Sequence, residues 1–380
     1  MRGVRVCHVS PHLPPDQAAN ALLPAHLGQW TVDAGDEVTY VAHPPRAGAA
    51  LPLAGPVVWV EPNQGRGLRK LLRISSLESA KRMMQESASS ISAADIVHIH
   101  SNGLLAEVCS LSASVRRRKP VVWTMYGTEI WHYKPSRIPR LFDTGYARAG
   151  QITFYSRGLY DKARELGLDR PGLNVVYPPV VERFAPVSAD ERLSLRLGLG
   201  LQAQHVLLNV KRLHPLAGQI YLIKALPQVL RRHPDTQLVI CGTGALLPDL
   251  QKAANQLGVE KQVTFTGLIS NDLVADYNRA ADVFVLPSLL EALPTVAVEA
   301  LACGTPVVSA DHPGGVELHG LFGDDVAVVP RENVEALSYM LIRTLDQRRR
   351  TDPDTAAVLE REFRPEAVAA RFRSIYEKVL

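Results

Sequence analysis

Short runs of apolar residues, rich in valine and isoleucine, alternate with longer stretches of helical periodicity along nearly the whole chain. In the first half, the segment up to Ala34 is predicted to be helical, and five apolar runs predict β-strands at Val4–Ser10, Asp36–Ala42, Asp95–His100, Pro120–Met125 and Gln151–Ser156. Because these runs are continuous, they indicate parallel strands whose sheet is covered by helices on both faces.

The pattern pauses at residues 175–200, where prolines and glycines cluster, and then begins again. Five further strands are predicted at His205–Val210, Thr236–Cys241, Gln262–Gly267, Asp282–Pro287 and Thr305–Ala310. A length of 380 residues also exceeds what one core usually supports. We therefore expect an α/β protein with two doubly wound parallel-sheet domains, joined near residues 178–200. Ligands bind at the carboxyl ends of such strands, and here two sets of ends could face one central cleft.

The composition is that of an ordinary globular protein, with 46% hydrophobic and 21% charged residues. No apolar stretch is long enough to predict a membrane-spanning helix, and the first residues do not resemble a signal peptide. The four cysteines, Cys7, Cys109, Cys241 and Cys303, lack the paired spacing of disulfides or zinc sites. These features predict a cytoplasmic protein.

Charge is distributed unevenly. Residues 1–180 carry 21 Lys+Arg against 14 Asp+Glu, whereas residues 181–380 carry 21 against 24. A basic first half favours an anionic partner such as phosphate, nucleic acid or acidic lipid. Within it, the basic amphipathic segment Arg66–Arg82 has two interpretations: a helix lying on the inner face of an anionic membrane, or a solvated helix with one core-facing stripe.

Two acids stand in an otherwise apolar segment, PSLLEALPTVAVEALACGTPVV, from Pro287 to Val308. The prolines and the Gly-Thr-Pro turn predict that Glu291 precedes a helix and that Glu299 lies within it. The first turn of such a helix offers free N–H groups to an anion. Carboxylates instead accept hydrogen bonds from hydroxyl groups. A sugar joined to a phosphate would satisfy both kinds of group.

This segment resembles the Glu-x7-Glu region of the family-4 retaining glycosyltransferases. The likeness continues upstream through Leu238–Ser288, into the interdomain segment VVYPPVVERFAP, and downstream in GGVELHG. It implies the GT-B fold, with two Rossmann-like domains. Residues 1–180 would form an acceptor-binding domain and residues 200–362 a nucleotide-sugar-binding domain. The segment 363–380 resembles the family's closing helix, which packs back on the first domain.

The resemblance also implies roles for individual residues. Glu291 would hold hydroxyls of the donor sugar, and Glu299 would hold the nucleotide ribose. The main chain at Leu293, Pro294 and Thr295 would approach the sugar and phosphate. The main chain around Leu268 and Ile269 would contact the base, and Arg212 would stabilise the leaving diphosphate. The nucleotide-diphospho-sugar is a co-substrate, and the family's chemistry implies no metal and no other cofactor.

Three positions depart from the family pattern. Ala18 and Ala19 stand where a Gly-Gly pair usually contacts the diphosphate, and alanine at positive φ costs about 1–2 kcal/mol. Tyr126 replaces a histidine: it can hydrogen-bond a sugar but cannot carry a positive charge. Ala217 replaces the lysine that lies five residues after the family's arginine. Lys211 is a substitute only if the chain has already turned, because adjacent strand residues point to opposite faces.

His98 and His100 alternate with isoleucine at a strand end and share one face. A metal site would need further ligands, so hydrogen-bonded core or cleft histidines are the preferred interpretation.

The predicted function is transfer of a sugar, with retention of configuration, from a nucleotide-diphospho-sugar to a hydroxyl of a sugar or lipid-linked acceptor. This places the protein in glycan, glycolipid or glycoconjugate biosynthesis, and no nucleic-acid partner is expected. Two alternatives stay open. One is a degenerate transferase that binds nucleotide sugars or acts as a scaffold. The other is a nucleotide-sugar epimerase, for which no acid–base pair is evident.

Overall fold

This computed structural model describes residues 3–16, 19–45, 49–62, 74–100, 103–136 and 140–380. The chain divides into two compact units. Unit 1 comprises Met1–Pro179 and Glu366–Leu380, and unit 2 comprises Val180–Pro365. Each unit has its own parallel sheet, which confirms the predicted α/β class.

Unit 1 contains a seven-stranded sheet in the order β3-β2-β1-β4-β5-β6-β7. Its strands are β1 Arg5–Val9, β2 Glu37–Ala42, β3 Val57–Trp59, β4 Ile96–Ile99, β5 Val121–Met125, β6 Gln151–Phe154 and β7 Leu173–Val175. Its described helices are α1 Ala19–Asp33, α2 Ile74–Glu86, α3 Ala88–Ala93, α4 Gly103–Leu111, α5 Thr128–Trp131, α6 Leu141–Arg148 and α7 Arg157–Glu165.

Unit 2 contains a six-stranded sheet in the order β10-β9-β8-β11-β12-β13. Its strands are β8 His205–Val210, β9 Thr236–Cys241, β10 Val263–Gly267, β11 Val283–Leu286, β12 Val307–Ala310 and β13 Val326–Val329. Its helices are α8 Ala189–Gly198, α9 Gln219–Arg232, α10 Leu247–Gln256, α11 Asn271–Ala280, α12 Thr295–Ala302, α13 Pro313–Phe322, α14 Val334–Gln347 and α15 Pro353–Glu362.

The strand order of each sheet reverses once. In unit 1 the reversal lies between β1 and β4, and in unit 2 it lies between β8 and β11. At such a switch point the two connections leave in opposite directions, so a crevice opens beyond the carboxyl ends of the two strands. The residues that follow these strands are therefore the first place to look for a binding site.

All ten predicted strands are present, with small differences at their ends. Three short strands were missed: β3 and β7 at the edges of the first sheet, and β13 at an edge of the second. The Pro/Gly-rich segment of residues 175–200 also contains α8 of unit 2, which begins with a capping box. The Ser188 hydroxyl accepts from the Glu191 N–H, and the Glu191 carboxylate accepts from the Ser188 N–H.

The basic segment is only partly within the described residues, because residues 63–73, including Arg66, lie outside them. In its described part, Met83 and Met84 are buried, whereas Lys81 and Arg82 are exposed and Arg82 forms an ion pair with Glu86. This part is a solvated helix with one core-facing stripe. Across the described ranges, no helix is long and apolar enough to span a membrane. The four cysteines are buried and unpaired by disulfides.

The last helix, α16 Pro365–Glu377, packs onto unit 1. Its Phe372 is 2% exposed and lies in a core cluster with Leu23 and Leu27 of α1 and with Ile96 of β4. Helix α16 therefore completes the core of the unit that also contains the first strands of the chain.

Replacing Phe372 with alanine should lower the free energy of unfolding of unit 1 by about 3–5 kcal/mol, because the substitution leaves a cavity in that core. Urea unfolding measures the change. Ser374→Ala, at an exposed position of the same helix, is the control and should change stability by less than about 0.5 kcal/mol. An equal, small effect of both variants would show that α16 does not support the core of unit 1.

Candidate functional site

The switch point of unit 2 brings two predicted site residues into direct contact. Lys211 directly follows β8, and Glu291 lies in the loop that follows β11. Because β8 and β11 are parallel neighbours, both residues emerge at the same edge of the sheet. The Lys211 Nζ lies 2.6 Å from the Glu291 Oε1, with 27% and 17% of the respective side chains exposed.

Lys211 reaches this position because the strand has already ended. β8 stops at Val210, and the chain bends at Lys211, whose N–H donates to the Cys241 carbonyl. The alternation of strand side chains no longer applies at a bend, so Lys211 and Arg212 need not point to opposite faces. Lys211 therefore lies at a turn of the chain, as its role as a substitute cation requires, and that role stays a prediction.

The loop that carries Glu291 is held by the start of α13. The Gly314 N–H donates to the Glu291 carbonyl at 3.0 Å. A Cβ atom at Gly314 would lie 2.9 Å from the Ala292 carbonyl oxygen and 2.8 Å from Pro294 Cδ, which is closer than side-chain carbons normally approach. Glycine is needed here because the two segments touch through their main chains. The position of the Glu291 carboxylate therefore depends on the Gly-Gly sequence of α13.

His312 is a buried residue of this site that the sequence pattern alone did not single out. Its Nδ1 accepts from the Gly315 N–H at 2.9 Å and so caps α13, and its Nε2 lies 3.3 Å from the Ser309 hydroxyl oxygen. Burial, and secondarily the charges of Lys211 and Arg331, lower the pKa of His312 to about 4. The ring is neutral at pH 7 and serves as a fixed cap. A polar side chain at the N-cap position, here His312 directly before the first helical residue, is the signal in the sequence that would have indicated this cap.

The start of α12 supplies main-chain groups to the same edge of the sheet. Leu293 and Pro294 are buried, and Thr295, the first helical residue, is half-buried. Pro294 occupies the N-cap position, and no side chain of the described residues caps the first turn. Its free N–H groups and the positive end of the helix dipole favour an anionic group at this place.

Glu299 lies in the second turn of α12 and has an unusual environment. Its side chain is half-buried, and among the described residues no group hydrogen-bonds to its carboxylate. Desolvation raises the pKa of Glu299 to about 7. A carboxylate in this state has all its acceptor capacity available for hydroxyl groups of a ligand.

Arg212 and Ala217 occupy the connection between β8 and α9. The Arg212 side chain is exposed, and its main-chain carbonyl accepts from the Gln219 amide at 3.1 Å. Ala217 is buried at the end of a short 3-10 helix, Pro215–Ala217. Gly218 follows with φ +69°, and a Cβ atom there would lie 2.0 Å from the Pro287 carbonyl oxygen. The connection therefore passes directly against the end of β11.

Leu268 and Ile269 connect β10 to α11 at the same edge of the sheet. Leu268 is 83% exposed, and Ile269 is half-buried. The adjacent Gly267 carbonyl accepts from the Gly242 N–H at 2.8 Å, which ties this loop to the end of β9. An exposed leucine beside a half-buried isoleucine offers an apolar surface of the kind on which a flat base can lie.

In unit 1, Tyr126 follows β5, and its hydroxyl lies 2.9 Å from His100 Nδ1. Burial raises the pKa of Tyr126 well above its usual value. The Gly127 N–H donates to Glu129 at 3.0 Å, so this carboxylate shapes the loop. The Tyr126 hydroxyl is thus committed to its hydrogen bond with His100.

Of the two alanines in the first loop, Ala18 lies outside the described residues, and Ala19 begins α1.

His98 and His100 are joined by His8 of the neighbouring strand β1, which the sequence alone could not place beside them. The three histidines are buried, with ring nitrogens within 4.8 Å of one another. His98 lies 2.7 Å from the Tyr376 hydroxyl and 2.8 Å from the Thr124 hydroxyl, and His8 Nδ1 lies 2.9 Å from His100 Nε2. A metal ion would have to displace these bonds, so the geometry fits a hydrogen-bonded core cluster.

Replacing Glu299 with glutamine should stabilise the unliganded protein at high pH. With a pKa of about 7, above the ordinary 4.5, ionisation of Glu299 costs the folded state stability as pH rises between these values. A glutamine side chain does not ionise and carries no such cost. The free energy of unfolding of the variant should therefore exceed that of the wild type by about 1–3 kcal/mol above pH 7, and the partial exposure of the side chain favours the lower figure. Near pH 4.5 the two proteins should be equally stable. Urea unfolding across this range measures the difference. Glu260→Gln, at an exposed position, is the control; a gain that does not change with pH would contradict this explanation.

Two family models match the chain. One is described as "Glycosyl transferases group 1" and matches residues 199–359; the other is described as "Glycosyltransferase Family 4" and matches residues 25–183. The first match falls within unit 2, and nearly all of the second falls within unit 1.

Two curated relatives share about a third of their residues with the chain over the aligned part. The GDP-mannose-dependent alpha-(1-6)-phosphatidylinositol monomannoside mannosyltransferase of Mycolicibacterium smegmatis is 35% identical over 249 residues, which is 62% of this chain and 64% of the relative. The D-inositol 3-phosphate glycosyltransferase of Rhodococcus erythropolis is 36% identical over 167 residues, 40% of this chain and 37% of the relative. The matched part thus spans less than two thirds of each relative.

Among solved structures, Anabaena HepE in complex with UDP and glucose superposes with a TM-score of 0.76 over 98% of this chain and 99% of HepE, at 19% identity. At that identity the likeness concerns the fold alone. Taken with the two family matches, it leads to one conclusion: the chain belongs to the family-4 glycosyltransferases and has the GT-B fold.

Proposed function

We propose that this protein is a glycosyltransferase whose unit 2 holds a nucleotide-diphospho-sugar at the carboxyl ends of β8 and β11. One observation carries the proposal: the half-buried Glu299 carboxylate, which lacks a hydrogen-bond partner among the described residues, lies one turn behind the uncapped start of α12. The ribose hydroxyls would supply the missing bonds, and the diphosphate would lie against the N–H groups of the first turn.

The donor we propose is GDP-mannose. This choice rests on the name of the Mycolicibacterium relative, which describes a GDP-mannose-dependent mannosyltransferase. In unit 2 the base would lie on Leu268 and Ile269, and Glu291 would accept hydrogen bonds from the mannose hydroxyls. The contact with Lys211 would orient the Glu291 carboxylate before the sugar arrives.

The acceptor we propose is a hydroxyl of an inositol-containing glycolipid or inositol phosphate, which would place the reaction in glycolipid biosynthesis. The names of both relatives describe transferases that act on inositol compounds, and this supports the choice. Unit 1 would bind the acceptor. There, Tyr126 would act through its main chain, because its hydroxyl is bonded to His100.

The reaction we propose retains the configuration of the sugar. The acceptor oxygen bonds to the anomeric carbon on the face from which the diphosphate leaves. The bond from that carbon to the phosphate oxygen breaks, and the acceptor proton passes to the departing phosphate. Negative charge grows on the diphosphate as the bond breaks, so nearby cations lower the barrier. Lys211 and Arg212 would provide that charge in place of a lysine at position 217.

Incubation of the purified protein with GDP-mannose and a phosphatidylinositol mannoside tests the function. We expect mannosylated lipid and free GDP in equal amounts, with the new linkage in the α configuration. Tight donor binding without turnover would favour the scaffold alternative, and recovery of an isomerised nucleotide sugar would favour the epimerase. No feature of the described part of unit 2 specifically favours the scaffold or the epimerase.

Lys211→Met should lower kcat by about 10²–10³-fold while GDP affinity changes much less, because the charge matters most as the bond breaks. Adding Ala217→Lys to that variant should restore part of the rate by returning a cation to the same connection. Lys224→Met, on the exposed surface of α9, is the matched control and should leave kcat unchanged. Full activity of Lys211→Met would remove this side chain from the mechanism.

The affinity for GDP-mannose should fall as the pH drops below about 7, because protonated Glu299 accepts hydrogen bonds from ribose hydroxyls less well. Each phosphate of a nucleotide sugar carries one ester and one anhydride bond, so its one remaining, strongly acidic hydroxyl group stays ionised in this range and the diphosphate does not contribute. Calorimetric titrations between pH 5.5 and 8.5, conditions chosen as roughly bracketing the pKa, measure the slope. Glu299→Gln should bind more weakly and without the slope; an identical slope in the variant would assign it to another group.

A further inference from the structure

Unit 2 has a cavity at the other end of its sheet that the proposed transferase chemistry does not use. The cavity measures about 240 Å³, and its lining includes five arginines, one acid and His205. We call it the arginine pocket, and its charged residues are Arg192, Arg196, Asp282, Arg348, Arg349 and Arg350. His205 begins β8, whereas Lys211 follows its carboxyl end, so the six-residue strand separates the pocket from the donor side by roughly 20 Å.

The arginines of the pocket retain hydrogen-bond donors after their structural bonds are counted. A guanidinium has five N–H donors. Arg192 bonds to main-chain carbonyls and to Asp282 through Nε and Nη2, which leaves Nη1 without a bond among the described residues. Arg350 bonds to carbonyls through both Nη atoms, and its Nε has no hydrogen bond to any described residue. Arg348 is exposed, caps the end of α14, and makes no ion pair with any described residue.

The pocket is also short of negative charge. Asp282 is shared by Arg192 and Arg196, at 2.6 and 2.5 Å, and Arg349 is paired with Asp325 and Asp352. Arg348 and Arg350 are therefore left without a carboxylate partner in the described structure. Burial, followed by the nearby charge of Arg192, lowers the pKa of Arg350 to about 10. Such a group of like charges repels itself, and an anion would remove that cost.

We propose that the arginine pocket binds a phosphate group. Guanidinium N–H groups form charge-assisted hydrogen bonds to phosphate oxygens, and the arginines that keep unused N–H groups, Arg192, Arg348 and Arg350, all line one cavity. The phosphate belongs either to a soluble metabolite or to a lipid headgroup. Leu193 and Leu197, 60% and 72% exposed on α8 beside Arg192 and Arg196, provide the apolar surface that a lipid source would use.

Calorimetric titration of the full chain with inorganic pyrophosphate tests the site. Arg348→Gln should weaken the pocket's binding by at least about tenfold, the loss expected for one charge-assisted contact. Arg231→Gln, at an exposed arginine of α9 outside the pocket, is the matched control and should bind like the wild type. Any binding on the donor side is common to all three proteins, so it cancels from the comparison.

Co-sedimentation with phosphatidylcholine vesicles, with and without phosphatidylinositol, separates the two sources. Binding to the anionic vesicles that falls in Arg348→Gln and in Leu193→Ser/Leu197→Ser assigns a lipid phosphate. Loss of pyrophosphate binding without any vesicle effect assigns a soluble one. Equal behaviour of wild type and Arg348→Gln in both experiments overturns the proposal. Arg348→Gln should keep the wild-type affinity for GDP-mannose, so this outcome is independent of the proposed transferase activity.

Discussion

The placement of β8 beside β11 is the constraint on which the site in unit 2 depends. The two strands are far apart in the chain, and only their parallel pairing brings Lys211 to within 2.6 Å of Glu291. The same pairing puts the start of α12 and the connection to α9 at one edge of the sheet. Close main-chain contacts at Gly218 and Gly314 then fix both connections, because no side chain fits between them. A switch point thus turns sequence-distant residues into one polar surface.

The polar groups at that surface are arranged at a cost to the folded protein. The Glu299 carboxylate is desolvated and has no hydrogen-bond partner in the described structure, and its pKa is raised because burial disfavours the ionised form. Glu291, in contrast, is compensated by Lys211. The two carboxylates of one short segment therefore differ in the folded protein: Glu291 is ion-paired, and Glu299 has no hydrogen-bond partner among the described residues. Ala217 is buried and carries no charge, and we propose that Lys211 and Arg212 supply the cations of the site.

The sequence predicted the strands of both sheets and the two acids because each has a local signature: continuous Val/Ile runs, and charge within an apolar segment. Edge strands such as β3 and β7 were missed because three residues are too few for a periodic signal. Helix α8 was missed although its Ser188–Glu191 capping box is legible in the sequence. The partners of His98 and Lys211 could not be predicted, since they depend on strand order rather than on local pattern. The arginine pocket is of the same kind, because Arg192 and Arg350 meet only in the folded unit.

A crystal structure of the chain with bound GDP-mannose tests the central claim most directly. We expect density for the nucleotide sugar at the carboxyl ends of β8 and β11, with the ribose hydroxyls within hydrogen-bond distance of Glu299 and the mannose hydroxyls on Glu291. We also expect the Lys211 ammonium and the Arg212 guanidinium to lie nearer to the diphosphate than any other cation of unit 2. A nucleotide bound elsewhere, or a ribose that leaves the Glu299 carboxylate without a partner, would contradict the proposed site.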